Sequence, residues 1–128
     1  MRFDGYHHIG LIVDDVATSL KFYTEGLGGN LIFSFPMGDT GKNIYLVDLG
    51  GNAVIEIIPL GNENAEKSAR WEHIALRTDD VSEAFNLSLR AGADSFSEPA
   101  DVNLGTMPVR NAFVTGPDGE LIEFFQEK

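Results

Sequence analysis

Residues 71–80 read WEHIALRTDD, and residues 6–15 read YHHIGLIVDD. Each stretch sets a histidine before a short apolar run, closes it with two aspartates and continues into helical spacing. After His8 the chain runs Ile9-Gly10-Leu11-Ile12-Val13-Asp14-Asp15-Val16, and after His73 it runs Ile74-Ala75-Leu76-Arg77-Thr78-Asp79-Asp80-Val81. Histidines and aspartates share one offset, 73 − 8 = 65. Self-similarity at a fixed offset is the mark of a repeated structural unit, so the fold is read from this repeat outward.

Both runs alternate as strands do, and in each the aspartates can cap the helix that follows. The first helix carries Val16, Leu20, Phe22, Tyr23 and Leu27 and stops at Gly28-Gly29; the second carries Val81, Ala84, Phe85 and Leu89 and stops at Gly92. Glycine after a last turn is the expected helix stop. Strand-like runs follow each helix. They are NLIFSF, NIYLVDL and AVIEIIPL in the first half, and DSFSEP, RNAFVTG and ELIEFFQ in the second, with PDG as a turn. Each half therefore reads strand, helix, three strands. The expected organisation is one α+β domain over 1–128, with module 1 at about 1–60, a polar linker at about 61–70 and module 2 at about 71–128. The stretch EPADVNLGTMP (98–108) shows no clear pattern and reads as a loop.

A chain of 128 residues suits one compact domain with a core of its own. It has no cysteine, which excludes disulfides, cysteine-ligated zinc and thiol nucleophiles. Lys plus Arg is 9 against 20 Asp plus Glu, a net charge of −11 that repels phosphate backbones and anionic membranes. Nucleic acid and membrane partners are not expected. The N-terminal MRFDGYHH lacks the apolar stretch of a signal peptide, and no segment approaches spanning length, so a cytoplasmic location is the expectation.

Strand parity assigns faces. His8 shares its face with Gly10 and Ile12, and His73 with Ala75 and Arg77, so each imidazole has a small neighbour that leaves room beside it. A second repeated feature lies in the last strand of each half. AVIEIIPL holds Glu56 among apolar residues, ELIEFFQ holds Glu123 likewise, and the offset is 123 − 56 = 67. A carboxylate in such a place needs a partner, water or a cation. Singly, each of these residues is better explained by packing or by a solvated face. As two equivalent pairs they are harder to dismiss, because duplicated packing explains Ile and Leu but not His and Glu. His8, Glu56, His73 and Glu123 together offer two imidazoles and two carboxylates, a donor set for one divalent transition ion. His7 faces the helix side by parity and reads as structural. Arg77 and Arg110 read as salt-bridge partners more readily than as anion receptors. No nucleophile elbow or phosphate-binding glycine loop is present.

At these residues the chain resembles the vicinal oxygen chelate superfamily. The resemblance rests on HHIGLIVDDVATSLKFYTEGLGG, WEHIALRTDDV and AFVTGPDGELIEFF and covers nearly the whole sequence. It implies two tandem βαβββ modules forming a curved mixed sheet around a metal cup (the glyoxalase/bleomycin resistance/dioxygenase fold). It also implies metal ligands at His8, Glu56, His73 and Glu123. The His/Glu/His/Glu set resembles that of glyoxalase I-like (lactoylglutathione lyase-like) proteins, whereas the epimerase subfamily has glutamine at the place of Glu56. The resemblance thus implies a metal-dependent lyase or isomerase that abstracts a proton next to a carbonyl and passes through an enediolate. Glu123 would be the first choice of base and Glu56 the second. The implied cofactor is one divalent ion (Ni, Co, Zn or Mn), the implied partner a small-molecule substrate, and the implied assembly a homodimer. The ion could be held within one chain or across two. Two positions depart from glyoxalase I, which has an arginine and an asparagine helping to hold glutathione where this chain has Ile12 and Leu60. The alternatives are a methylmalonyl-CoA epimerase-like isomerase and a non-catalytic small-molecule binding or resistance protein.

Overall fold

A computed structural model describes residues 1–60, 70–116, 119 and 121–128. The chain forms two compact units, one of residues 8–72 and one of residues 1–7 with 73–128. The expected linker at 61–70 lies outside the described residues except for its last position, where a strand begins. Of the PDG turn only Gly119 is described; its N–H donates to the Gly116 carbonyl. Among the described residues, no helix is long and apolar enough to cross a membrane.

The first unit in chain order follows the βαβββ plan. Strand β1 (Tyr6–Val13) leads into helix α1 (Val16–Lys21), then β2 (Asn30–Pro36), β3 (Asn43–Asp48) and β4 (Val54–Pro59). The sheet order is β2-β3-β4-β1, with β1 and β4 parallel and the other pairs antiparallel. Asp15 caps α1 by accepting the Thr18 N–H at 3.1 Å, and this bond holds its carboxyl below the ordinary value. The helix then widens over Phe22–Gly26, where the Leu27 N–H reaches back to the Phe22 carbonyl. That turn changes which side chains face inward: Phe22 and Leu27, expected on the apolar face, are exposed. Gly28 closes the helix at φ +79°, and a Cβ on Gly29 would stand 2.6 Å from the Tyr23 carbonyl oxygen. The core lies under α1, where Leu11, Val13, Val47, Ile55 and Ile57 pack against Val16 and Leu20.

The second unit repeats the plan with β5 (Arg70–Arg77), α2 (Val81–Arg90), β6 (Asp94–Leu104), β7 (Met107–Thr115) and β8 (Leu121–Glu127). Its order is β5-β8-β7-β6, again with the first and last strands of the module parallel. Asp80 caps α2 through the Glu83 N–H at 2.9 Å. Val81, Ala84 and Phe85 of α2 pack on Ala112, Val114 and Phe124. The N-terminal residues join this unit: Asp4 N–H donates to the Arg77 carbonyl, Arg77 N–H to Gly5, and Phe3 stacks on Phe124 at 5.7 Å.

The stretch 98–108, read as a loop, is mostly strand. It supplies the end of β6, the turn and the start of β7, in a hairpin whose register runs from Ala100↔Asn111 to Leu104↔Met107. The two-residue turn is Gly105-Thr106, with Gly105 at φ +61°. Val102 and Leu104 alternate with exposed Asp101 and Asn103 and pack against Val109 and Phe125. Register shifts between Ser95 and Ala100, with Pro99 inside them, break the alternation ahead of this run and hide the strand in the sequence. Arg110 lies on this hairpin, 3.2 Å from the Asp101 carboxylate and 2.9 Å from Ser82 Oγ. It is an ion-pair residue, as its sequence context suggests. Chiefly through that bond, and with help from Lys128, the Asp101 carboxyl is held below its ordinary value.

Candidate functional site

The register explains why each histidine has a small neighbour. Gly10 pairs with Glu56 across β1 and β4, and Ala75 pairs with Glu123 across β5 and β8. His8 and His73 each stand two residues before that small residue, so imidazole and carboxylate lie diagonally on one face. Each glutamate thus has a small residue as its parallel cross-strand neighbour.

Within residues 8–72, His8 Nε2 lies 3.7 Å from Glu56 Oε1. Within the other unit, His73 Nε2 lies 3.3 Å from Glu123 Oε1. All four are buried, at 2, 7, 8 and 3 % exposure for His8, Glu56, His73 and Glu123. Two donor atoms each about 2.1 Å from one ion stand roughly 3.0 Å apart at a right angle and roughly 3.6 Å apart at 120°. Each pair therefore has the separation of neighbouring ligands on an ion. Burial removes water from the carboxylates, which makes a cation the natural complement of each pair.

The surroundings of the pairs differ. Leu46 is the cross-strand partner of Glu56, with Phe33 beyond it opposite Leu46. Phe113 is the cross-strand partner of Glu123, and its ring also meets His73 edge-on at 5.9 Å. Asn111, absent from the sequence-level candidates, donates its side-chain N–H to Glu123 Oε2 at 3.0 Å. The repeat does not single it out, since the residue at the same offset in module 1 is Ile44, 111 − 44 = 67.

His7 departs from the parity reading. It stacks on Phe125 with ring centroids 4.0 Å apart, and its Nε2 is 2.6 Å from Glu127 Oε1. Phe125 and Glu127 alternate with the helix-facing Phe124 and share the face of Glu123. The physical reason lies in the first residues of β1, which pack with 73–128 rather than with α1, so the parity of the rest of the strand does not carry over. Its role as a packing residue is consistent with this contact. Ile12 is half-buried and in register with Ile58; Leu60 is buried, and its carbonyl accepts from Lys42 Nζ at 2.7 Å.

Comparison with known proteins identifies the family. Residues 5–124 match the model of the Glyoxalase/Bleomycin resistance protein/Dioxygenase superfamily. The chain belongs to this superfamily. Among curated relatives, the Bacillus subtilis protein YwbC is 33% identical over 93% of this chain and 94% of its own. A lactoylglutathione lyase from Escherichia coli O157:H7 is 31% identical over 94% of this chain and 91% of its own. Among solved structures, methylmalonyl-CoA epimerase from Mycobacterium tuberculosis superposes with a TM-score of 0.80 at 22% identity, covering 98% of this chain and 89% of that one. At that identity the likeness shows the superfamily fold alone. It agrees with the paired βαβββ plan read from the repeat and with the mixed sheet that the resemblance implies.

Proposed function

We propose that the protein is a metal-dependent lyase of the glyoxalase I type, a single domain in which His8, Glu56, His73 and Glu123 share one divalent ion. The observation that carries this reading is the ligand-edge separation of both buried His–Glu pairs, 3.7 and 3.3 Å. Relatives named lactoylglutathione lyase, alignable over nearly the whole chain, support the reaction class.

The reaction is an isomerisation in which the adduct of a thiol with an α-ketoaldehyde becomes an α-hydroxy thioester, with no atom gained or lost. When bound, the ion supplies positive charge where the substrate oxygens become negative as the neighbouring carbon loses its proton. Glu123 removes that proton and returns it to the adjacent carbon, which a carboxylate does best when held close to both. His8 and His73 contribute neutral nitrogen donors, and Glu56 is the second carboxylate. Nickel, cobalt, zinc and manganese all suit this donor set. The protein is proposed to work as a cytoplasmic homodimer.

Apolar Ile12 and Leu60 favour a thiol carrier other than glutathione, because neither side chain can hydrogen-bond a peptide or carboxylate. The deciding experiment supplies Ni²⁺-loaded protein in deuterated water with adducts of α-ketoaldehydes with glutathione and with an uncharged thiol. Formation of the hydroxy thioester, faster from the uncharged adduct, supports the proposal. If no adduct is converted while a 2-substituted acyl thioester exchanges its α-proton, the reaction is epimerisation.

A further inference from the structure

We infer that Asn111 is a positioning residue that fixes the orientation of the Glu123 carboxylate and thereby sets the affinity of module 2 for its ion. The inference rests on the proposed ligand role of Glu123. Asn111 lies on β7 opposite Phe125, and Phe113, two residues along, lies opposite Glu123. All four side chains therefore share one face, and the amide reaches Glu123 diagonally. Its Nδ2 is 3.0 Å from Oε2, while the other oxygen, Oε1, is the one 3.3 Å from His73 Nε2. Oε2 thus takes the amide's hydrogen bond, and Oε1 stands beside the imidazole.

A carboxylate free to rotate about its terminal torsion must lose that freedom when it binds an ion, and a donor already seated on one oxygen lessens the loss. The hydrogen bond is charge-assisted, which makes it stronger than an amide bond to a neutral acceptor. The amide belongs to one module only. At the equivalent place on β3, 67 residues earlier, stands Ile44, whose side chain has no donor. An amide is an unexpected choice for a half-buried strand position that faces Phe125 and Phe113 unless it has an acceptor to hold.

The test replaces Asn111 by the residue that module 1 holds at the same place. Chelator-stripped wild type and Asn111→Ile are titrated calorimetrically with Ni²⁺ alone, and the visible spectra of the Co²⁺-loaded proteins are compared. The expected result is a Kd roughly 10- to 100-fold weaker in the variant, as for other outer hydrogen-bond partners of metal ligands. The Co²⁺ bands should shift as the carboxylate, without the Asn111 hydrogen bond, changes its mode of binding, while the metal-free variant keeps the far-UV circular dichroism spectrum of the wild type. Asn111→Ala serves as the second variant if the isoleucine does not fold. Equal affinity in wild type and the soluble variant overturns the positioning role and leaves the metal site standing. A lowered metal-free melting temperature with unchanged Kd also overturns it, since Asn111 would then be a packing residue. No Ni²⁺ uptake by wild type removes the site and the inference with it.

Discussion

The two modules carry the same pair of metal-type donors in different settings. In residues 8–72, Glu56 pairs across the sheet with Leu46, and its module places Ile44 where the other has an amide. In the second unit, Glu123 pairs with Phe113, whose ring touches His73, and takes a hydrogen bond from Asn111. The backbone plan and the pairing of each Glu with Gly10 or Ala75 are common to both. The difference shows that a repeat can keep its donor atoms while the groups that orient them diverge. On the proposed mechanism this asymmetry is what allows two carboxylates to take different roles.

The two modules should differ most when each carboxylate is removed in turn. Glu123→Gln should lower turnover by at least about 10²- to 10⁴-fold, the usual contribution of a general base, with an unchanged far-UV circular dichroism spectrum. Glu56→Gln should be the milder of the two; an equal or larger loss at Glu56 would reverse the assignment of the base. The cores can be compared next. Phe85→Ala in the second unit should destabilise by about 3–5 kcal/mol and Ile57→Ala in the first by about 2–5 kcal/mol in denaturant unfolding. Phe85 is buried on the inner face of α2 and Ile57 lies in the core beneath α1, so a cost under 1 kcal/mol at either position would contradict this packing. Smaller again is the cap of α2, where Asp80→Ala should cost roughly 0.5–2 kcal/mol.

The smallest effect concerns Asp15, the matching cap of α1. Its folded pKa lies below the ordinary 3.8 because the Thr18 N–H, its largest influence, favours the ionised form. A depressed carboxyl pKa contributes stability above the unfolded value, and that contribution is lost as pH falls through the folded value. Melting temperatures of wild type and Asp15→Ala should therefore differ at neutral pH and converge as the pH drops below 3.8. A gap that persists in acid would mean that the cap does not depend on the charge.

Much of this was legible in the sequence, for identifiable reasons. The aspartates before each helix and Gly28 and Gly92 after it are local signals, and the helices start and stop where those residues require. The His–Glu pairs were legible because parity and nearly equal offsets, 65 for the histidines and 67 for the glutamates, make the same statement twice. The part of the β6–β7 hairpin over residues 98–108 was not, because shifts around Ser97 and Pro99 break its alternation and its edge strand carries polar residues. His7 was misplaced because parity along β1 says nothing of which unit its first residues pack with. Asn111 was missed because a single asparagine on a strand gains meaning only from its distance to Glu123.

The proposal that both pairs serve a single ion meets its most direct test in calorimetric titration of chelator-stripped protein with Ni²⁺, with His8→Ala and His73→Ala alongside. One ion per chain, lost in either variant, is the expected result. Two ions per chain, with each variant losing one, would mean that the pairs act separately, and no uptake at all would contradict a metal role for either.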